Sequence, residues 1–414
     1  MNIIINENDL KKYLISQKEW VTEFLNGLLA IKSESGDEEN AMAYISAELE
    51  SVGIDVKSCP ISEDIKKSSN YSYPVENIEY KNRRNLAIRY DSKMTGKTIA
   101  LNTHVDVVPP SPGQKNPYVP FVDNNGYIHA RGACDAKGQI AVLILLIKAA
   151  QSLKNLKHNI VGHIVVEEEF GGNGTLGLLD YEKVFTADAL INLEPTDLRL
   201  MTMIRGAVWF DMVFMGKSGH AGSSENTQSA TDKAIAAVGL LKQYHKELLS
   251  KSRDYGLFMG MNNPMPLTIG EFNAGSWPAM VPGEAHIAGV LGFLPNTNKN
   301  TVMEEIRELF NRKENLWISE GMTMEFTYKH NAVELPIEHW FSKNMSEACR
   351  KSGINGVPTA MTASSDAIFY QELGIPSLAF GPGKISDAHS CHEIISIDDI
   401  LKATEVIYTF MMKI

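Results

Sequence analysis

The sequence predicts a large α/β domain, with a mixed and mostly parallel sheet, interrupted by a smaller α+β domain. Three observations carry that reading. In the first half of the chain, β-branched apolar runs alternate with helix-length apolar segments, the order in which a doubly covered sheet is built. Near Met201 the texture changes to period-2 alternation, as in Ala207 to Gly216 (AVWFDMVFMG), which suits antiparallel strands covered on one face. After Thr323 the α/β character returns. The expected division is 1–200 and 315–414 for the large domain, with 201–314 inserted.

From about Asp9 to Val52, apolar residues fall at helical spacing (Trp20, Phe24, Leu28, then Tyr44, Ile45, Leu49) and break near Ser33 to Gly36, predicting two helices. The polar stretch Ser62 to Arg84 reads as a surface excursion. Lys97 to His104 reads as a buried strand that ends in polar residues, followed by a Pro-rich loop, Pro109 to Pro120. Gly138 to Leu153 is an apolar helix, and Asn159 to Val166 and Ala189 to Leu193 are further strands. In the insert, a helix over about Ala230 to Leu249, strands over about Pro266 to Phe272 and Ala285 to Phe293, and a helix over about Thr301 to Arg312 give a β-α-β-β-α-β-like order. A helix at Trp340 to Lys351, a strand at Ser377 and a last helix from Ile397 to Met412 complete the chain.

With 414 residues, 44% hydrophobic and 21% charged, the composition is that of an ordinary folded protein with room for a sizeable core. A net charge of −11 argues against nucleic acid as a partner, because phosphate contacts need a surplus of Lys and Arg. The opening stretch is charged at Glu7 and Asp9 before an apolar leader forms, and no segment has the roughly 18 apolar residues of a membrane span. Cys59, Cys134, Cys349 and Cys391 are widely separated and form no paired motif, which fits a reducing compartment. A cytoplasmic protein without membrane contact is expected.

Five short segments place His, Asp or Glu at strand ends or in the adjoining loops: Thr103 to Asp106 (THVD), Gly132 to Gly138 (GACDAKG), Glu167 to Gly174 (EEEFGGNG), Asn192 to Thr196 (NLEPT) and Asp387 to Glu393 (DAHSCHE). Open α/β sheets bind ligands at such ends. Three adjacent carboxylates repel one another unless a cation or protons compensate them. Imidazoles and carboxylates without paired thiols suit zinc or a similar transition metal. A two-metal hydrolase satisfies all of these, given one bridging carboxylate, terminal ligands and an uncoordinated carboxylate as base.

These segments, in this order, resemble the zinc deacylase and carboxypeptidase family that includes acetylornithine deacetylase, succinyl-diaminopimelate desuccinylase, aminoacylase and glutamate carboxypeptidase. An early marker of the family is present in modified form as Ile31 to Glu39 (IKSESGDEE). The resemblance implies two Zn2+ ions, with Co2+ as a substitute, held by His104, Asp135 as the bridge, Glu169, Glu194 and His389. It implies Glu168 as general base, Asp106 as the carboxylate that orients His104, and His220 of the insert as an oxyanion donor, acting across a homodimer if the insert is a lid and dimerisation domain. His392 is the alternative ligand to His389. The implied reaction is hydrolysis of an amide in a small N-acyl amino acid, deacetylase- or desuccinylase-like, with dipeptidase or carboxypeptidase activity as the alternative.

Two departures touch the substrate side. Gly292 stands where many relatives have an Arg that grips a substrate carboxylate, and Ala279 where many have an Asn. Arg205 and Ser365, in the Thr362 to Asp366 loop, are the substitute contacts. A competing class is an oxidoreductase, since Gly172 to Gly177 (GNGTLG) has the spacing of a dinucleotide-binding loop. Glu167, Glu168 and Glu169 directly before it oppose a bound pyrophosphate.

Overall fold

In the computed structural model, residues 7–74, 78–179, 181 and 186–413 are described; the first six residues of the charged opening stretch lie outside them. The strands are β1 (Val56–Pro60), β2 (Arg84–Tyr90), β3 (Thr98–His104), β4 (Phe121–Val122), β5 (Tyr127–His129), β6 (Asn159–Val165), β7 (Ala189–Asn192), β8 (Met201–Ile204), β9 (Gly206–Met215), β10 (Gly219–His220), β11 (Leu267–Ala274), β12 (Met280–Val281), β13 (Glu284–Phe293), β14 (Met322–His330), β15 (Val333–Glu334), β16 (Thr359–Met361), β17 (Ser377–Ala379) and β18 (Ile394–Ser396). The large sheet is mixed and runs β1-β2-β6-β3-β7-β17-β8-β15, with β16 on β8. Its centre, β6-β3-β7-β17, is parallel. Antiparallel pairs flank this centre on both sides.

The helix Gly138–Leu153 is apolar on nearly every face and is buried accordingly. At the chain's amino end three helices form where two were expected: Glu7–Ser16, Lys18–Leu29 and Glu39–Ser51. The extra break falls at Gln17, whose ψ of 1° leaves the helix. Helix starts are capped as the local sequence dictates, with Ser229, Asn298 and Ser396 side chains accepting from the N–H of Asp232, Thr301 and Asp399. No described helix is long and apolar enough to cross a membrane.

The small domain is a four-stranded antiparallel sheet, β11-β13-β9-β14, with the helices Ala230–Ser252 and Lys299–Asn311 packed into a second core. Strand β11 lies at its edge with most of its side chains exposed. Sheet membership moves the expected boundaries at 201 and 314. Strand β8 is buried along its whole length and pairs with β17, β15 and β16 of the large sheet, so the crossing comes between Ile204 and Gly206. Strand β14 pairs with β9 along the small sheet, so the insert closes after His330.

The polar stretch before Arg84 is less superficial than its composition suggests. Ser72, Tyr80 and Arg83 are buried, because the Arg83 guanidinium pairs with both Glu38 and Glu167. Glu167 also accepts from Tyr80 Oη at 2.9 Å and from Asn173 Nδ2 at 2.7 Å. Removing one partner of such a group leaves the others charged and dry. Arg83→Ala should therefore destabilise the protein by about 3–5 kcal/mol, read as a lower denaturant midpoint; an unchanged midpoint would show that the network contributes nothing.

Candidate metal centre

Strands β6, β3, β7 and β17 lie side by side and parallel, so the loops that follow them leave from one edge of the sheet. His104 ends β3, Glu167 to Glu169 follow β6, Glu194 follows β7, and His389 lies in the loop after β17. Asp135 sits in the turn Ala133–Lys137 that opens the buried helix Gly138–Leu153. Segments far apart in the chain thus meet in one crevice.

The geometry is that of a shared carboxylate. Asp135 Oδ1 is 3.1 Å from His104 Nε2, and Asp135 Oδ2 is 3.4 Å from His389 Nε2. His389 Nε2 is also 3.0 Å from Glu169 Oε2. Ligand atoms of His104, Asp135 and Glu169 all lie within 4.8 Å of one another. Glu168 Oε2 stands 4.0 Å from His104 Nε2 and is 13% exposed. Glu194 is buried and accepts from Asn192 Nδ2 at 3.2 Å. Hence His104, Asp135, Glu169 and His389 are brought into mutual reach, with Glu168 and Glu194 beside them.

The three consecutive glutamates separate cleanly. Glu167 takes a positive φ of 59° and turns to Arg83, away from the cluster. The next two are held by Asp106, whose Oδ1 and Oδ2 accept the Glu168 and Glu169 N–H groups at 3.0 and 3.1 Å. Ser35 of the early marker donates to the same carboxylate at 3.0 Å. His104 Nδ1 is 3.0 Å from the Asp106 carbonyl oxygen and 3.5 Å from its Oδ1. The backbone oxygen, with the carboxylate behind it, thus orients the ring and leaves Nε2 facing Asp135.

Charge balance shows what the site fits. Burial opposes the charge of Asp135, yet hydrogen bonds from His104 and His389 hold it below the usual carboxylate range. Hydrogen bonds to Asp135 and Glu169 lift His389 to about 10. Burial, reinforced by Asp135, pushes Glu169 up to about 7. Burial likewise raises Glu168 and Glu194 well above the ordinary value. Only extra protons balance this set in the bare protein, and divalent cations would replace them. Two imidazoles and three carboxylates around a bridging position suit zinc-like ions.

The loop after Glu169 also answers the dinucleotide reading. Gly172 has φ +68°, and a Cβ there would meet Asp366 Oδ1 at 2.2 Å; one at Gly174 would meet the Val166 carbonyl at 1.9 Å. The glycines are needed for close packing, and the helix that follows, Asn173–Leu178, is buried throughout.

Other expected residues lie elsewhere. His220 is exposed on the β10–β12 ribbon, where its Nδ1 accepts the Gly222 N–H at 3.1 Å; among the described residues it makes no contact with the cluster. His392 is exposed, its backbone N–H donates to Ser390 Oγ at 3.1 Å, and no described contact joins it to the cluster. Arg205 donates to the carbonyl oxygens of Thr362 and Gly206 and lies against Gly292, where a Cβ would meet its Nη1 at 3.2 Å. Ser365 Oγ is buried without a hydrogen-bond partner among the described residues. The Cys134 thiol is buried and pushed well above its ordinary pKa by that burial and by Glu393, which keeps it unreactive.

A further residue, Glu393, received no role from the sequence. It is 2% exposed and accepts from the N–H groups of Gly132, Cys134 and Asp135 at 3.0, 3.1 and 3.2 Å. Arg131 Nη1 donates to it at 2.6 Å, Arg131 Nη2 donates to Ser111 Oγ at 2.8 Å, and Ser111 Oγ donates to the His389 carbonyl at 2.6 Å. One ion pair thereby holds the Asp135 turn and the His389 loop together. Asp366, pushed up to about 7 by burial, stands behind the crevice and accepts from Thr175 Oγ1.

A family model described as Peptidase family M20/M25/M40 matches residues 100–413, and the chain belongs to that family of hydrolases. It is 25% identical over 349 residues to an N-formyl-4-amino-5-aminomethyl-2-methylpyrimidine deformylase of Halalkalibacterium halodurans, covering 76% of this chain and 78% of the relative. It is 25% identical over 312 residues to aminoacylase-1 of Dictyostelium discoideum, covering 69% and 74%. The structure of the di-peptidase Dug1p from Saccharomyces cerevisiae superimposes with a TM-score of 0.77 at 15% identity, over 98% of both chains, which shows the shared fold.

Glu393→Gln should lower metal affinity by about 10–100-fold, the usual cost of disturbing groups behind the ligands, as measured by chelator competition; undiminished affinity would leave the clamp without a role. His389 carries a proton in the bare site up to about pH 10, so ions must displace it. Affinity should accordingly rise from about pH 6 to about pH 8 with proton release visible by calorimetry in buffers of different ionisation heat. A pH-independent affinity would contradict this.

Proposed function

We propose that this protein is a metal-dependent amidohydrolase that cleaves the amide of a small N-acyl amino acid or related compound. The observation that carries the reading is Asp135, with one carboxylate oxygen toward His104 and the other toward His389, while Glu168 stands beside them with, among the described residues, only the His104 ring at 4.0 Å as an ion-pair partner. In this reading two Zn2+ ions occupy the crevice, held by His104, Asp135, Glu169, Glu194 and His389. Such ions, when bound, lower the pKa of water toward about 7 and polarise a carbonyl.

The remaining steps belong to the chain's own groups. Glu168 accepts a proton from the attacking water and returns it to the leaving amine, a general acid–base role that needs no covalent intermediate. Its burial raises its proton affinity, which brings the carboxyl nearer to the working pH of such a shuttle. Asp106 fixes the Glu168 backbone, so the base is presented from a rigid turn. His220 supplies a hydrogen bond to the tetrahedral oxygen from a second copy of the chain, joined through the inserted domain. The names of the curated relatives, a deformylase and an aminoacylase, support deacylation over peptide cleavage. Free cysteines and the absence of a long apolar helix among the described residues support a cytoplasmic setting.

Zinc- or cobalt-loaded protein should release free amine from one class within a panel of formylated, acetylated and succinylated amines and amino acids, with dipeptides as the competing class. Glu168→Gln should reduce kcat by about 10²–10⁴-fold with metal content intact. Retained turnover in that variant would overturn the assignment of the base. Mixing Glu168→Gln with His220→Ala should restore activity that neither variant shows alone, whereas a mixture as inactive as its parts would remove the cross-subunit role.

A further inference from the structure

Strand β14 changes face halfway along its length. Phe326 pairs with Phe210 of β9, but Tyr328 pairs with Trp209, so Thr327 is an extra residue in a β-bulge. Were the strand regular, with Thr327 paired, Tyr328 and His330 would fall on the same face as Phe326 and enter the small-domain core. With the bulge, Phe326 and Phe210 stay in that core, and Tyr328 stacks on Trp209 at 4.9 Å on the other face. His330, two residues on, points the same way. Its ring meets Tyr328 at 4.2 Å and the edge of Phe369 of the large domain at 5.1 Å.

The redirected pair forms a chain of hydrogen bonds that ends at the turn carrying Glu168. Ser364 Oγ and Tyr328 Oη are 2.6 Å apart, Tyr328 Oη and His330 Nδ1 2.9 Å, and His330 Nε2 and the Gly171 carbonyl oxygen 3.0 Å. His330 is 1% exposed, and burial lowers its pKa to about 3, so the ring is neutral. A carbonyl can only accept, which places the ring proton on Nε2 and makes Nδ1 an acceptor for the tyrosine hydroxyl. Tyr328 then accepts from Ser364, and every group in the chain has a definite direction. At its end, the Gly171 N–H donates to the Glu168 carbonyl at 2.9 Å.

We propose that His330, held in its tautomer by Tyr328 and Ser364, is the positioning residue through which the small domain sets the placement of Glu168. This rests on the reading of Glu168 as general base. The turn is gripped from the large domain by Asp106, at the Glu168 and Glu169 N–H groups, and from the small domain's last strand by His330, at the Gly171 oxygen. Ser364 lies in the loop beside Ser365 and Asp366, so the same chain ties that loop to the base. A shift of β14 relative to the large sheet therefore moves Glu168 and the Ser364 loop together. Most ion-holding residues lie outside this chain: none of its four members touches His104, Asp135, Glu194 or His389 among the described contacts, and Glu169, within the turn, is held by its own N–H bond to Asp106.

The test combines steady-state kinetics on the best substrate of the panel, metal analysis and hydrogen exchange of the segment containing Glu168 to Gly172. His330→Ala should lower kcat at least tenfold at unchanged KM and metal content, and should speed exchange in that segment. His330→Gln, whose amide can still donate to the Gly171 oxygen, should recover most of both. Tyr328→Phe, which removes one hydroxyl from the relay, should fall between and decides the matter if His330→Ala does not fold. Wild-type kcat and exchange in Tyr328→Phe and His330→Ala would overturn the proposal, as would equal impairment of His330→Ala and His330→Gln or loss of metal in either. If the metal-loaded wild type hydrolyses nothing while the variants still speed exchange, the amidohydrolase reading fails, and with it Glu168 as base, while the hold of His330 on the turn stands. Turnover in the wild type with no change in either variant sinks the positioning role alone.

Discussion

Asp135 offers one carboxylate oxygen to each of two imidazoles in a crevice where Glu168, Glu169 and Glu194 are also enclosed, and these groups repel each other strongly in a dry site. Much of the surrounding structure is organised to withstand that repulsion. Backbone N–H groups are spent on the carboxylates behind the site: two on Asp106, three on Glu393. The Arg131–Glu393 and Arg83–Glu167 pairs place fixed positive charge behind the acidic face without entering it. The parallel centre of the sheet supplies the convergence, and these clamps supply the rigidity.

What could be read from the sequence follows from how locally each feature is encoded. His104, Glu168 and Glu169 directly follow apolar strands, and Glu194 and Asp135 flank a strand and a helix of obvious pattern, so their grouping was legible. The partner of Glu167 was not, because Arg83 lies in a polar stretch whose composition resembles a surface loop and whose burial depends on carboxylates brought in from Glu38 and Glu167. Glu393 was hidden for a similar reason: its contacts with Gly132, Cys134 and Asp135 span more than 250 residues, and it sits beside two more conspicuous residues, His389 and His392. The limits of the insert were misplaced because β8 is short and β14 alternates in a way that either sheet could accept, and only pairing decides between them. His220 was identified by motif alone, and the structure leaves it exposed and apart from the cluster among the described residues.

The junction between the domains shows a local exchange. Gly292 leaves a gap that Arg205 fills, with its guanidinium anchored on the Thr362 and Gly206 carbonyl oxygens. A side chain at 292 would displace it. Arg205 thus lies at the junction between the domains and shares the Thr362 to Asp366 loop with Ser364, the first member of the relay to Gly171. The Arg205 guanidinium and the hydrogen-bond relay to Gly171 consequently meet on one loop.

The bulge at Thr327 has a bearing on how this chain can vary. Thr327 is the unpaired residue, so its loss would leave Tyr328 opposite Trp209, but gain or loss of a paired residue changes parity: every later side chain of β14 would swap between the small-domain core and the interface with the large domain. The two ends of the strand are therefore coupled by count rather than by contact. Lineages of this protein can drift in composition along β14 far more freely than they can gain or lose a single codon at one of its paired positions.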